Sequence, residues 1–435
     1  MQFSDRLETV QVEACFDGPP PKKLYRNERS RQYTDWVLSG GRPIRDTGRH
    51  LQLVDLPDDA CVAWQVDLSG AAARQDYRLA LQWPNVFLGS GDLWFWRDDE
   101  RRPIRVSVHL PAGYSISAPW KPFSDQDGVR SFRVDPTPAS WSSRIAIGRF
   151  AITPLRIGGA ELRVAVIRPS GPDGKAKLLD WITENAAGVA AVHGRFPQES
   201  PQVLVVPIGP RSEPVPWAHV IRGGGAAVEL FVDETRTLQE FRFDWTAPHE
   251  LSHLLLPLVS SRDRWLSEGL ASYYQNVLRA RDGRLTEEQA WQKLHAGFER
   301  GRKATHGATL AQATRSGRGA TMRVYWSGAA MMLKADSRLR ALSRGRWSLD
   351  SALGALAGCC LEPSRSWRAK ELLEELDRLT GHGVFREVFE DHVQDRAFPD
   401  VGPIYGKLGL REESRSLKIV SGAPWGDIRQ SIMGG

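Results

Sequence analysis

The sequence has few cysteines, and their spacing fits none of the common metal motifs. The 435 residues contain only four, at Cys15, Cys61, Cys359 and Cys360. None belongs to a C-x-x-C pair, and the adjacency of Cys359 and Cys360 would strain a bond between them. We therefore predict free, half-buried thiols, which favours a reducing compartment over a disulfide framework.

Long apolar runs and a leader segment are also lacking. No stretch reaches about 18 consecutive apolar residues, which predicts that no transmembrane helix is present. Residues 1–8 lack the apolar core of a signal peptide. The sequence therefore predicts a cytoplasmic protein, and the alternative is a mature periplasmic or secreted form whose signal has been removed.

A large excess of one charge is absent, and so is any internal repeat. Lys and Arg number 58 against 52 Asp and Glu, for a net charge of +6, and the signs are mixed along most of the chain. This pattern does not indicate a nucleic-acid partner. One basic stretch, 300–323, is typical of a solvated loop, with attraction of carboxylate-bearing ligands as the alternative.

A metal-binding pattern occurs at residues 249–253, which read His-Glu-Leu-Ser-His. Positions i and i+4 share one face of a helix, so His249 and His253 can direct their imidazoles at one metal ion. Glu250 lies on a neighbouring face, where it suits a general base acting on water rather than a ligand. The pattern predicts a catalytic zinc site that needs a third ligand.

Glu268 is the candidate for that ligand. The first helix is predicted to begin near Thr246 and to end at Pro257, and Asp263 can cap a second helix that carries Glu268. A helical hairpin would then complete a His2Glu set and leave one position open. Either element alone could be structural, as a chance motif or a solvated glutamate, but their combination favours the metal site.

A glycine-rich segment precedes the metal-binding helix. Gly223, Gly224 and Gly225 lead into a predicted strand that contains Glu229. The triple glycine allows another backbone to approach closely. Two interpretations stay open: these four residues bind an extended substrate at a sheet edge, or the glycines form a turn before a core strand.

Three segments carry a resemblance to a known family. They are His-Glu-Leu-Ser-His at 249–253, Trp-Leu-Ser-Glu-Gly-Leu-Ala-Ser-Tyr-Tyr at 265–274, and the run from Val324 to Arg340 that begins Val-Tyr-Trp-Ser-Gly. Together they resemble the glycyl aminopeptidase family of gluzincin zinc metallopeptidases, which is related to aminopeptidase N and leukotriene hydrolase. The resemblance covers roughly residues 50–412.

The resemblance implies a multidomain α+β fold. We expect an N-terminal β-sandwich-like domain at 1–165, whose period-two patterns agree with it. A thermolysin-like catalytic domain at 166–342, a C-terminal helical domain at 343–412 and a tail at 413–435 should follow. The PDZ-like module found in many relatives is expected to be absent.

The same resemblance implies that Tyr325 donates a hydrogen bond to the oxyanion of the tetrahedral intermediate. Many relatives carry a glycine-rich strand ending in a glutamate that binds the substrate's free amine, and the segment ending at Glu229 matches it poorly. The sequence thus predicts a metallopeptidase with one Zn²⁺ and peptide or protein substrates, aminopeptidase-like in character. The alternatives are an endopeptidase of the same fold and a catalytically silent zinc-site binding protein.

Overall fold

The structure is a computed structural model. It describes residues 1–54, 56–126, 128–361, 365–414 and 416–434. None of the helices within these ranges is long and apolar enough to cross a membrane.

The N-terminal region contains two large β-sheets that share one apolar core, and a two-stranded sheet of Lys23–Tyr25 with His50–Gln52. Strands β12-β13-β10-β1-β2-β7-β4-β5 form the larger sheet, and β11-β14-β9-β8 form the smaller one. The core combines side chains of both, such as Trp64 from the larger sheet and Ile147 from the smaller. The elements are β1 (Gln2–Phe3), β2 (Thr9–Cys15), β3 (Lys23–Tyr25), β4 (Thr34–Ser39), β5 (Arg42–Pro43), β6 (His50–Gln52), β7 (Cys61–Asp67), α1 (Leu68–Ala73), β8 (Ala80–Trp83), β9 (Val86–Ser90), β10 (Ile104–His109), β11 (Ser115–Ser117), β12 (Lys121–Gln126), β13 (Val129–Val134) and β14 (Arg144–Gly148).

The prediction of free cysteines is wrong. Cys15 and Cys61 lie directly opposite each other in the antiparallel pairing of β2 with β7 and form a disulfide. Cys359 and Cys360 form a second one. The spacing of cysteines along a chain does not reveal strand register, which is what brings the first pair together. The expected cytoplasmic location stays a prediction and loses the support of free thiols.

A five-stranded sheet lies at the centre of the molecule. Its order is β15-β16-β17-β19-β18, so β18 is an edge strand that pairs antiparallel to β19. One face packs on the helices and the other on the smaller N-terminal sheet. The strands are β15 (Ile152–Ile157), β16 (Ala160–Val166), β17 (Gln202–Pro207), β18 (Trp217–Arg222) and β19 (Ala226–Val232).

Two of these strands lie on the N-terminal side of the boundary predicted at residue 165. β15 and most of β16 precede it, yet β16 pairs with β17 of the following region. Period-two patterning identifies strands but does not tell which sheet they join. The sheets therefore separate near residue 150.

Helices cover the other face of the central sheet and continue to the end of the described chain. Residues 413–435, predicted as a tail, contribute Ile432 and Met433 to the same core as the metal-binding helix. The mixed α+β fold with a helical C-terminal region agrees with the prediction. The elements are α2 (Gly171–Ala191), α3 (Leu238–Phe243), α4 (Thr246–Ser252), β20 (Leu258–Val259), α5 (Arg264–Arg281), α6 (Glu287–Lys303), α7 (Leu310–Arg315), α8 (Thr321–Ser343), α9 (Leu349–Ala357), β21 (Ser366–Trp367), α10 (Ala369–Thr380), α11 (Val384–His392), α12 (Gly402–Leu408), β22 (Leu410–Glu413), β23 (Ser416–Ile419) and α13 (Gly426–Gly434).

Candidate metal centre

The helix α4 presents both histidines from a buried position. A carboxylate oxygen of Asp244 accepts a hydrogen bond from the backbone N–H of Thr246 at 2.7 Å. Thr246 is the first residue of the helix rather than its N-cap. All seven residues of α4 are buried, and a 3₁₀ turn continues it from His253. The rings of His249 and His253 stand at 88° with centroids 5.0 Å apart.

Glu268 meets both histidines from the helix α5. Its Oε2 atom lies 3.4 Å from Nε2 of His249 and 3.4 Å from Nε2 of His253. That oxygen is buried and accepts no hydrogen bond. α5 begins after Asp263, as the sequence predicted, so the short connection suffices to bring the three side chains together.

These separations fit a tetrahedral zinc ion. Two donor atoms about 2.0–2.1 Å from zinc and at the tetrahedral angle lie roughly 3.3 Å apart. Imidazole nitrogen and carboxylate oxygen are also donors that zinc prefers. The two distances from Glu268 are therefore those that one bound ion would need. Glu250 lies with the two histidines in one group of potential ligand atoms, all within 4.8 Å of one another.

Two side chains of α5 orient the histidines, and sequence reasoning did not identify them. Oε1 of Gln275 lies 2.8 Å from Nδ1 of His249, and Oγ of Ser267 lies 2.8 Å from Nδ1 of His253. The Gln275 oxygen can only accept a hydrogen bond, so Nδ1 of His249 carries the hydrogen and donates it. The Nε2 atom of His249 then has a lone pair free for a metal. Gln275 follows Glu268 by two helical turns, a spacing that could have indicated it.

The charges of the site act strongly on one another. Burial raises the pKa of Glu268, but the two imidazoles beside it outweigh burial and hold that pKa well below its usual value. Burial lowers the pKa of His249, yet the nearby carboxylates of Glu268 and Glu250 raise it overall. The carboxylate of Glu268 is therefore ionised, as a metal ligand must be.

Tyr325 lies beside the histidines. Its ring stacks on that of His249 at 8° with centroids 5.9 Å apart. Burial and the charge of Glu268 raise the pKa of Tyr325. The phenol is therefore protonated at neutral pH and able to donate a hydrogen bond.

A cleft of about 260 Å³ opens on this group. Ala218, Val220 and Arg222 of the edge strand β18 line it, and so do Glu250 and Tyr325. An edge strand offers free backbone groups to an extended chain. The cleft can thus seat a peptide beside the metal-binding residues.

The four predicted substrate-binding residues do not line this cleft. Gly223, Gly224 and Gly225 connect β18 to β19 and pack under the N-terminal region, where a Cβ on Gly225 would lie 1.9 Å from the Pro119 carbonyl oxygen. This placement matches the second interpretation, a turn before a core strand. Glu229 lies on β19.

Alternation along β19 explains the position of Glu229. Val228 and Leu230 face the helices, so Glu229 faces the smaller N-terminal sheet. There its carboxylate lies 3.0 Å from Nε2 of His219 and 3.8 Å from the Arg144 guanidinium. It is part of a buried polar contact between two sheets, on the opposite side of the sheet from the metal-binding histidines.

The basic stretch 300–323 is partly structural. Arg300 lies over the Trp326 ring at 4.9 Å, and Arg323 is buried and donates to the Ala397 carbonyl at 2.6 Å. The side chain of Arg318 lies outside the described part. The packing of these two arginines in helical surroundings explains them without a ligand.

Comparison with known proteins identifies the fold. No protein-family model and no curated protein matches the chain. Among solved structures, an aminopeptidase N family protein from Idiomarina loihiensis is 13% identical, with a TM-score of 0.73 over 94% of this chain and 77% of that one.

Two other solved structures have a similar fold. An M1 zinc metallopeptidase from Deinococcus radiodurans is 16% identical, with a TM-score of 0.52 over 90% of each chain. Yeast LTA4 hydrolase is 13% identical, with a TM-score of 0.56 over 90% of this chain and 65% of that one. The chain has the fold of the M1 zinc metallopeptidases, the group to which the sequence resemblance pointed.

Proposed function

We propose that the chain is a zinc-dependent metallopeptidase that holds one Zn²⁺ on His249, His253 and Glu268. The observation that carries this proposal is the equal 3.4 Å separation of the unpartnered Glu268 oxygen from both imidazole nitrogens. The fold of the M1 zinc metallopeptidases supports it. A structure of the Deinococcus radiodurans enzyme contains a Tyr-Ser-Ala substrate, which supports a peptide as the substrate class.

The residues around the cleft have separate roles in the proposed hydrolysis. A zinc ion, when bound, supplies Lewis acidity that polarises a carbonyl and lowers the pKa of water. Glu250 takes a proton from the attacking water and returns it to the leaving amine. Tyr325 donates its phenolic hydrogen to the developing oxyanion. Gln275 holds His249 in its ligating tautomer, and Ser267 fixes the ring orientation of His253.

Substitution of the base separates chemistry from metal binding. Glu250→Gln should retain stoichiometric zinc and lose peptidase activity by about 10²–10⁴-fold, because a neutral amide cannot accept the proton. His253→Ala should lose both zinc and activity. Elemental analysis and a peptide-cleavage assay measure these effects, with Glu374→Gln on the exposed face of α10 as a control.

Unaltered cleavage by Glu250→Gln would contradict the proposed mechanism. Wild-type protein without stoichiometric zinc and without activity would instead favour a silent binding protein.

An endopeptidase is the second candidate, and the composition of the cleft favours it. Along the described residues, the cleft wall has no carboxylate besides Glu250 and Glu268, so no further acid is available to bind a free amine. One peptide assayed with a free and with an acetylated amino terminus separates the candidates. An aminopeptidase should reject the acetylated form, whereas an endopeptidase should cleave both at similar rates.

A further inference from the structure

Two arginines line the metal-site cleft without an acidic partner. Besides the proposed metal ligands and Glu250, the charged lining residues are Arg222, Arg264 and His219. His219 lies 3.0 Å from the Glu229 carboxylate. Arg222 and Arg264 form no ion pair with any carboxylate in the described part of the chain. Their positive charge is therefore available to something that enters the cleft.

Arg222 is fixed at the end of the edge strand β18. Its Nη2 atom donates to the His253 carbonyl oxygen at 2.6 Å, so the guanidinium lies directly behind a proposed metal ligand. Burial lowers the pKa of Arg222 to about 10, which leaves it charged at neutral pH. The side chain contributes a fixed positive charge to the back of the cleft.

Arg264 lies on the other wall, at the first residue of α5. One terminal nitrogen donates to the Gly317 carbonyl at 3.0 Å, which anchors the group. Its Nε atom is buried and has no hydrogen-bond partner in the structure. Arg264 lines the same cleft as Tyr325 and Glu250. An anchored guanidinium suits a planar acceptor such as a carboxylate.

The balance of charge in the cleft predicts a negatively charged ligand. The two carboxylates Glu250 and Glu268 match the charge of one zinc ion, so the guanidinium charges of Arg222 and Arg264 remain uncompensated. A cleft of one sign attracts ligands of the opposite sign. Apart from Glu250 and Glu268, no acidic residue of the described chain lines the cleft.

We propose that the cleft selects peptides that carry a carboxylate next to the cleaved bond, and that Arg264 binds this carboxylate. The proposal rests on the proposed peptidase function, since it assigns the substrate class of that site. Arg222 adds to the attraction from the back wall. The carboxylate belongs either to an Asp or Glu side chain or to a free carboxyl terminus, which share the same acceptor geometry.

Matched peptides test the proposal in two arms. The first compares Glu with Gln beside the cleaved bond in a peptide blocked at both ends. The second compares a free with an amidated carboxyl terminus in an otherwise neutral peptide. We expect the anionic member of at least one pair to have a kcat/KM about tenfold higher, as for a hydrogen bond to a charged group. The arm that responds identifies the source of the carboxylate.

Variants assign the effect to one side chain. Arg264→Gln should reduce the ratio of kcat/KM between the anionic and the neutral peptide towards one. Arg264→Lys keeps the charge but loses the two-pronged guanidinium geometry, so it should retain part of that ratio. The control Arg262→Gln changes an exposed arginine two residues away and should keep the wild-type ratio. A wild-type ratio of one or less in both arms overturns the proposal, as does a ratio that Arg264→Gln leaves unchanged.

Binding separates this proposal from the proposed function. The dissociation constants of the same peptides are measured on zinc-loaded Glu250→Gln, with and without Arg264→Gln. Tighter binding of the anionic peptides that depends on Arg264 supports the proposal even if the wild type cleaves none of them. Equal binding of both members of each pair overturns it even if the wild type is an active peptidase.

Discussion

Each histidine of the metal centre is held from two sides of its ring. Nε2 faces the shared Glu268 oxygen, and Nδ1 faces a polar side chain of α5. His249 and His253 could be identified as candidate ligands from the sequence, because their i, i+4 spacing has a direct geometric meaning. Their orienting partners could not be identified, since Gln275 and Ser267 acquire their role only when α5 lies against α4.

Removal of one orienting partner should weaken metal binding without emptying the site. Gln275→Leu keeps the volume but loses the acceptor of the His249 N–H, so we expect a zinc affinity lower by about 10–100-fold. Competition against a chelator of known affinity measures this. The same change at the exposed Gln239 of α3 is the control. Equal affinities in Gln275→Leu and the wild type would show that this contact does not hold the ring.

At the scale of elements, the site depends on the crossing of α5 and α8. A Cβ on Gly269 would lie 2.4 Å from the Gly328 backbone, and one on Gly328 would lie 2.1 Å from the Trp265 carbonyl oxygen. The two helices therefore touch backbone to backbone. Glu268 precedes one glycine directly, and Tyr325 lies one turn before the other. The sequence predicted the helix that carries Glu268, but not which residues it meets, because that depends on packing rather than periodicity.

A single methyl group at this crossing should disturb both stability and catalysis. Gly269→Ala forces the helices apart, so we expect a loss of about 1–3 kcal/mol in unfolding free energy. Peptidase activity should fall further than the folded fraction, because Glu268 and Tyr325 separate. Denaturant unfolding and a cleavage assay measure the two effects. Gly406→Ala is the matched control, since its added Cβ would meet nothing within 4 Å. Full activity in Gly269→Ala would mean that the crossing distance is not critical.

At the scale of the whole molecule, local patterns predicted elements, and long-range contacts decided how those elements combine. The period-two patterning within residues 1–165 predicted strands, and the strand Cys61–Asp67 is one of those that the structure contains. Its pairing with β2, and thus the disulfide of Cys15 with Cys61, depends on a partner 46 residues away. Glu229 was assigned to the right strand, but which face of the sheet it occupies depends on what covers each side.

The stability of the whole fold should decline in mild acid partly because of His392. This imidazole is buried in α11 and neither ring nitrogen has a hydrogen-bond partner in the structure. Burial, with the charge of Lys334, lowers the pKa of His392 from 6.5 to about 4. Between these values the unfolded chain binds more protons than the folded one, so stability is fully present above pH 6.5 and is lost as the pH falls towards 4. The loss is up to about 1.4 kcal/mol per pH unit from this group.

Substitution of His392 tests this contribution. His392→Leu should make the unfolding free energy depend less on pH between 6.5 and 4. The measurement is the difference in unfolding free energy between this variant and the wild type at each pH, in which the contribution of the metal centre cancels. His306→Leu, which removes an exposed imidazole, should follow the wild-type curve. An unchanged slope in His392→Leu would mean that other groups cause the acid sensitivity.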